Sequence, residues 1–409
     1  MKGAGWHLFR SGSFRALWLG QFVSIFGDRL HYFALLALIV ERAHDPRNPA
    51  PELALVPAVS FLPTILVGPL AGALVDSWQT RSVLVLSDFI RGCLVLLILP
   101  AVAFGGLPAA FTLVFLLYVA NTFFLPARSA IVPDIVQDHE LMEANSLCTL
   151  AGVAATIAGA ALGGILVDRA GWRLGFAIDA VTYFVSVGFL AAMRPRPRER
   201  RPTPKTWALV YRALGRDVRE GARLTVGNRA VLGSVLALVL LWVAGGALHV
   251  AGTVLLRQRM SAFVSGTGGV LSAVGFGMVA GTLFTAWRGR LWPPRLLIAT
   301  GLLGTGVALA VFSRAVSFPA LAAVGFTAGI FVALLLVTTE AVVQASVGPE
   351  ARGRVFALRD FSTRVAVLAT AGVLGIALGR SWLTPGMAVV GAGALLAGAG
   401  IWIALRWKR

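Results

Sequence analysis

Charge of any kind is scarce in this chain. Asp, Glu, Lys and Arg make up 13% of its 409 residues, where a soluble protein carries about a quarter. That excludes an ordinary soluble fold, and it excludes disorder, which needs charge and few apolar residues. Two cysteines, Cys93 and Cys148, are too few for a disulfide scaffold. There is no His-Glu-x-x-His run, no phosphate-binding loop and no clustered Cys/His metal site. Catalytic residues, metal ligands and cofactors are therefore expected to be absent, an enzyme is disfavoured, and ATP drive from this chain is excluded. Acidic residues are the scarcest charges, 18 against 36 Lys+Arg, for a formal net charge of +18. In a soluble protein such a balance points to nucleic acid; in a membrane protein it points to cytoplasmic loops.

What fills the chain is apolar. Hydrophobic residues make up 57%, with a mean hydropathy of +0.82. A helix crossing the hydrocarbon core needs about 20 mostly apolar residues. Twelve such stretches can be marked, near 16–40, 53–75, 82–104, 108–127, 144–167, 172–193, 230–255, 265–287, 295–313, 317–343, 356–379 and 385–405. Glycines dilute the seventh to ninth, so ten or eleven remain open. The first run lacks a cleavage pattern and is interrupted by Asp28 and Arg29, so it reads as a span rather than a removable signal. With a cytoplasmic N-terminus, the inner segments hold 26 of the 36 basic residues and the outer loops eight. This bias predicts a multi-pass membrane protein with both termini cytoplasmic. It also turns the positive charge into a topological label, leaving no nucleic-acid partner.

Residues 194–229 form the only long loop, opening Arg194-Pro195-Arg196-Pro197-Arg198-Glu199-Arg200-Arg201-Pro202. Prolines there stop the sixth span. Trp207, Val210, Leu214 and Val218 fall on one helical face and Arg212, Arg216, Arg219 and Arg223 elsewhere. That pattern fits an amphipathic helix at the interface or a solvated connector. The linker divides the chain into residues 1–193, 194–229 and 230–409, six spans on each side. A weak internal repeat supports the division. At an offset of 211, Val136, Glu140, Glu143, Ala144 and Leu147 align with Val347, Ala351, Arg354, Val355 and Leu358. Paired halves of this kind build many secondary transporters.

Four local patterns carry a family resemblance. They are Leu8-Phe9-Arg10 through Phe14-Arg15-Ala16-Leu17-Trp18-Leu19-Gly20-Gln21, with Gly27-Asp28; Pro126-Ala127-Arg128-Ser129 through Pro133-Asp134, with Ala144-Asn145-Ser146-Leu147; Asp179-Ala180; and Arg352-Gly353-Arg354-Val355-Phe356. Over nearly its whole length the chain resembles the major facilitator superfamily, most nearly the bacterial branch of macrolide-efflux and enterobactin-efflux proteins. The resemblance implies an all-α membrane fold of twelve helices in two pseudo-symmetric six-helix bundles. Gly72, Asp76 and Arg81 match the superfamily's motif between spans 2 and 3, while Ser77, Gln79 and Thr80 depart from it. Gly159, Gly163 and Gly164 resemble the antiporter motif of span 5, with Ala160 where that motif has proline; they read as sites of close helix packing. The arginine that drug exporters carry inside span 4 has no counterpart.

Ionisable residues at membrane depth default to function. Asp28, Arg29 and His31 lie in span 1 and Asp179 in span 6. Asp28 reads as a coupling or substrate residue, or as part of a fixed ion pair with Arg29 or another helix. Glu340 in span 10 either lines a cavity or pairs with Arg364. Asn121, with Tyr118, is a neutral candidate for substrate contact. His249 reads as a satisfied polar contact, and Asp88 with Arg91, three apart, as a local structural pair. Trp18, Trp242, Trp292, Trp382, Trp402 and Trp407 fall near span ends, as an interfacial belt requires. The repeat sets acidic Asp138, Glu140 and Glu143 against basic Arg352, Arg354 and Arg359, which predicts a charged conformational gate.

The expected function is a secondary active, proton-coupled exporter of an amphipathic or hydrophobic small molecule of the drug or siderophore class. It is expected to act as a monomer among membrane lipids by alternating access. The alternative is a lysophospholipid transporter of the same superfamily, which Phe26-Gly27-Asp28 and Ala34-Leu35-Leu36-Ala37-Leu38 also resemble. A non-transporting sensor or scaffold is the distant third reading.

Overall fold

The computed structural model describes residues 6–196 and 207–406. Most of the proline-rich linker start (Pro197 to Pro202), Lys2 and Trp407 lie outside the described residues. The helices are α1 (Gly12–Arg42), α2 (Ala50–Val75), α3 (Thr80–Ile135), α4 (Leu141–Ala192), α5 (Trp207–Gly227), α6 (Arg229–Ala247), α7 (Thr253–Arg259), α8 (Phe263–Arg288), α9 (Pro294–Phe312), α10 (Phe318–Ser346), α11 (Pro349–Gly379) and α12 (Pro385–Arg406). A π-turn, Leu248–Gly252, joins α6 to α7, so these three pieces run as one span. Among the described residues, ten helical segments are long and apolar enough to cross a membrane.

Two of the ten are each long enough to cross twice. α3 breaks at Gly106 (φ 60°, ψ −151°) and α4 at Gly171 (φ 79°, ψ 165°). Positive φ is open to glycine without steric penalty. Each helix therefore reverses on one residue, and the two arms of each give the third to sixth crossings. The expected twelve-helix, all-α architecture follows.

The described residues cluster into two compact units. One runs to Arg42 and resumes from Val59 to Arg212; the other holds Ala43–Ala58 and residues from Ala213 on. This division departs from the sequence-based one at the start of α2. The start of α2 belongs with the second unit because it packs there: His249 Nε2 donates to the Leu53 carbonyl at 3.1 Å and Asn48 Nδ2 to that of Leu378 at 2.8 Å. The later boundary falls inside α5, within the 194–229 linker.

In the first unit α1 lies along both arms of α4. Gly159 lets α4 meet the backbone of Phe26 and the stem of Arg29; a Cβ there would sit 3.0 Å from the Phe26 carbonyl oxygen. Gly163 faces Leu30 and Phe33, and Gly164 is buried beside it. Two side chains seal the contact, Gln21 donating to the Cys148 carbonyl at 2.7 Å and Trp18 Nε1 to the Leu147 carbonyl at 3.1 Å. Trp18 thus serves tertiary packing rather than an interfacial belt, whereas Trp242, Trp292, Trp382 and Trp402 are exposed. Near one end, Phe14, Leu17, Leu84, Ile131, Val132, Ala144 and Leu190 form a shared apolar core.

In the second unit α8 and α10 approach through Gly277 and Gly329. A Cβ on either would fall about 2 Å from the other helix's carbonyl oxygens, 2.0 Å from Phe326 and 2.1 Å from Val274. α5 closes on α11 in the same manner, with Gly221 against the Arg354 carbonyl. Of the apolar face expected on α5, Leu214 and Val218 are half-buried while Arg212, Arg216, Arg219 and Arg223 are exposed or nearly so; the side chains of Trp207 and Val210 lie outside the description.

Candidate functional site

A buried polar cluster lies at mid-helix in the first unit, built by three helical stripes. On α1, Asp28 and His31 are one turn apart. On the first arm of α3, Asp88 and Arg91 are likewise one turn apart. On the second arm of α4, Asp179, Tyr183 and Ser186 recur at four and three residues and so share a face.

Arg91 is the centre. It is 1% exposed and Asp88 is 0% exposed. Its guanidinium bonds Asp88 directly, donates to Asn121 Oδ1 at 3.1 Å and lies 3.8 Å from Asp28 Oδ1. Phe124 and Tyr183 flank it with ring centroids at 4.5 and 4.6 Å. Ser186 donates to the other Asp88 oxygen at 2.6 Å, and the Tyr183 hydroxyl donates to Asp28 Oδ1 at 2.5 Å. Beside this chain of contacts, His31 Nδ1 donates to Asp179 Oδ2 at 3.1 Å, and both residues are buried. The remaining His31 nitrogen and Asp179 Oδ1 have no hydrogen-bond partner. The cluster meets the exterior of its unit at Asp28, whose side chain is 34% exposed.

The charges do not balance within the hydrogen-bonded set. Asp28, Asp88 and Asp179 bring three carboxylates, against one guanidinium and one titratable imidazole. In a poorly solvated place such an excess is complementary to a cationic group. Asp28, half-buried and held by one long ionic contact and one hydroxyl, is the least enclosed of the three carboxylates.

Several expected residues thus meet: Asp28, His31, Asp179 and Asn121 join one cluster. Asp28 pairs with Arg91 and Tyr183 rather than with Arg29, because adjacent residues on a helix point apart. The Arg29 stem packs on α4 and its Nε has no hydrogen-bond partner. Asp88 and Arg91 do pair locally, yet Arg91 also reaches α1 and the second arm of α3. Tyr183 and Ser186 escape a reading that looks for charge; their four- and seven-residue spacing from Asp179 was the available signal.

Glu340 lies apart from these, in the second unit. It pairs with Arg359 at 2.5 Å and with Gln344 at 3.1 Å, instead of with Arg364. The residues of the expected gate also find partners inside their own units. Glu140 accepts from His7 at 2.9 Å, with Glu143 at 4.0 Å from the same ring, while Asp138 is exposed. The Gln137 backbone N–H bonded to Glu140 at 2.9 Å holds that carboxyl below its ordinary range, with His7 adding to the effect. Arg354 pairs with Asp217 at 3.3 Å and Glu220 at 2.6 Å, both on α5, and Arg352 donates to the carbonyls of Val347 and Gln344. Of the span 2–3 motif, Arg81 caps the end of α4 at the Leu190 and Ala191 carbonyls; Asp76 is exposed, and its N–H bonds the Gly72 carbonyl at 3.2 Å.

Comparison with known proteins agrees with this architecture. Residues 17–284 match the Major Facilitator Superfamily. The chain belongs to that superfamily. It is a membrane transporter, not an enzyme, and it is multi-pass. The lysophospholipid transporter LplT of Cronobacter sakazakii is 28% identical over 98% of this chain and 97% of its own length. The uncharacterised transporter YfiS of Bacillus subtilis is 26% identical over 92% and 88%. Among solved structures, the nucleoside transporter NupG superposes with a TM-score of 0.75 at 13% identity, covering 96% of this chain and 98% of that one. This last likeness is one of fold alone.

Proposed function

We propose that this transporter moves a single-tailed amphipathic molecule of the lysophospholipid class across a bacterial cytoplasmic membrane by alternating access. We place the exchange of a proton or cationic headgroup at Asp28. The observation that carries the coupling reading is the set of three carboxylates around Arg91, of which Asp28 alone is part-exposed. The substrate reading rests on the full-length likeness to transporters named for lysophospholipid, which favours the alternative raised by the sequence over drug or siderophore export. The Arg352-Gly353-Arg354-Val355-Phe356 resemblance keeps proton-coupled efflux as the second reading. The distribution of basic residues supports cytoplasmic termini, and the site is complete within one chain, consistent with a monomer.

The test is reconstitution into liposomes under an imposed pH gradient, with labelled lysophospholipid, drug and siderophore panels, for the wild type and Asp28→Asn. Lysophospholipid movement that Asp28→Asn abolishes supports the reading. Movement of drugs or siderophores alone removes the substrate class, and full transport by Asp28→Asn removes Asp28 from coupling.

A further inference from the structure

A cleft of about 920 Å3 lies within the second unit, between the beginnings of α6 and α9 and the ends of α8 and α10. That volume is within the range of about 300–1,000 Å3 usual for small-ligand sites. Its walls are mostly hydrocarbon, with Ile298, Ala341 and Val342 among them, and Trp292 stands at its edge, half exposed. Arg295 is the one charged residue on the described wall. Thr338 lines it too; it is 5% exposed and its hydroxyl has no hydrogen-bond partner. The next residue, Thr339, shows the usual alternative, donating to the Leu335 carbonyl one turn back at 2.8 Å.

The local charge is one-sided. No Asp or Glu occurs between Glu220 and Glu340, while Arg288, Arg290 and Arg295 fall close together where α8 gives way to α9. A basic, apolar-walled cleft between transmembrane helices is complementary to an acidic headgroup attached to hydrocarbon. A soluble anion would not use the apolar wall, and a neutral lipid would not use Arg295.

We propose that this cleft binds an anionic diacyl phospholipid of the surrounding membrane, with an acyl chain along the Ile298–Val342 wall and the phosphate at Arg295. The hydroxyl of Thr338 offers a donor to a glycerol ester carbonyl. The Arg91 cluster is in the other unit and shares no residue with this cleft, so the proposal does not depend on what the protein transports.

The test uses the purified full chain, delipidated in mild detergent and examined by native mass spectrometry with phosphatidylglycerol, phosphatidylcholine of the same acyl chains, or inorganic phosphate. Phosphatidylglycerol is expected to be retained over phosphatidylcholine. Arg295→Gln should weaken phosphatidylglycerol binding about fivefold and leave phosphatidylcholine unchanged. Ala341→Trp, which fills the cleft, should remove the retained lipid. Asp28→Asn, folded as wild type, should retain it fully, which separates this site from a substrate site. Equal retention of the two lipids, indifference to Arg295→Gln in a folded variant, displacement by inorganic phosphate alone, or loss of binding in Asp28→Asn would each overturn the proposal.

Discussion

Removing Arg91 should do more harm than removing Arg91 and Asp88 together. Arg91→Met takes away the guanidinium and leaves Asp88, 0% exposed, with Ser186 as its remaining hydrogen-bond partner. Stranding a buried carboxylate in this way costs about 3–5 kcal/mol. Loss of the Phe124 and Tyr183 ring contacts adds about 1–2 kcal/mol. The Asp28 contact is long, at 3.8 Å, and a third of that side chain is exposed, so after screening it contributes only about 0–1 kcal/mol. Arg91→Met should therefore lose roughly 4–8 kcal/mol. Adding Asp88→Asn replaces the stranded charge by a neutral amide that keeps Ser186, and should recover about 2–4 kcal/mol of it, since a neutral pair in place of a buried ion pair is often harmless. The assay is equilibrium unfolding in mixed micelles, arranged as a double-mutant cycle. Additive losses, or an Arg91→Met protein as stable as wild type, would refute the claim that Arg91 serves to neutralise the buried aspartates.

Three further outcomes follow from the packing and the charges. Gly277→Ala should cost about 1–3 kcal/mol or prevent folding, because the new methyl would meet the Phe326 carbonyl oxygen at 2.0 Å, while Gly372→Ala, with open space around it, should be tolerated; thermal unfolding of the two variants checks this. Glu140 is held below the ordinary carboxylate range in the folded protein, so its contribution is present above the unfolded value of about 4.3 and is lost as pH falls through the lower folded value. Glu140→Gln should flatten the acid side of the stability–pH curve, and an unchanged curve would show that the Gln137 and His7 contacts do not matter. Asp217→Asn with Glu220→Gln frees Arg354 from α5, a change of about 0–1 kcal/mol per pair. If Arg354 is a gate charge, the double variant should alter cysteine accessibility at the α10–α11 link; identical accessibility would exclude that role.

The spans were legible because composition dictates them: twelve apolar stretches of the right length leave the chain few alternatives in a bilayer. The breaks near 104–108 and 167–172 were legible too, but not that each turns on one positive-φ glycine, Gly106 and Gly171, since that is a property of backbone torsion. In the cluster, Asp28 and Asp179 stood out as charges among apolar neighbours, and Asn121 as an amide in an uncharged span. Their meeting around Arg91 was not visible, because it depends on how closely α1 approaches α4, and the glycines that permit this carry no chemistry of their own. Arg91 itself was masked by Asp88 three residues away, which accounts for its charge locally. The pairing of Arg354 with Asp217 and Glu220 on α5 was not visible either, because the partner of an amphipathic helix cannot be read from its own pattern.

Asp28 is the edge of the buried cluster, and the account stands or falls on what it exchanges. The most direct measurement is initial uptake of labelled lysophospholipid by proteoliposomes with and without an imposed pH gradient, wild type against Asp28→Asn. Transport in the wild type is expected to respond to the gradient and to fall to the protein-free level in Asp28→Asn while the variant remains folded. Undiminished transport by Asp28→Asn would contradict this.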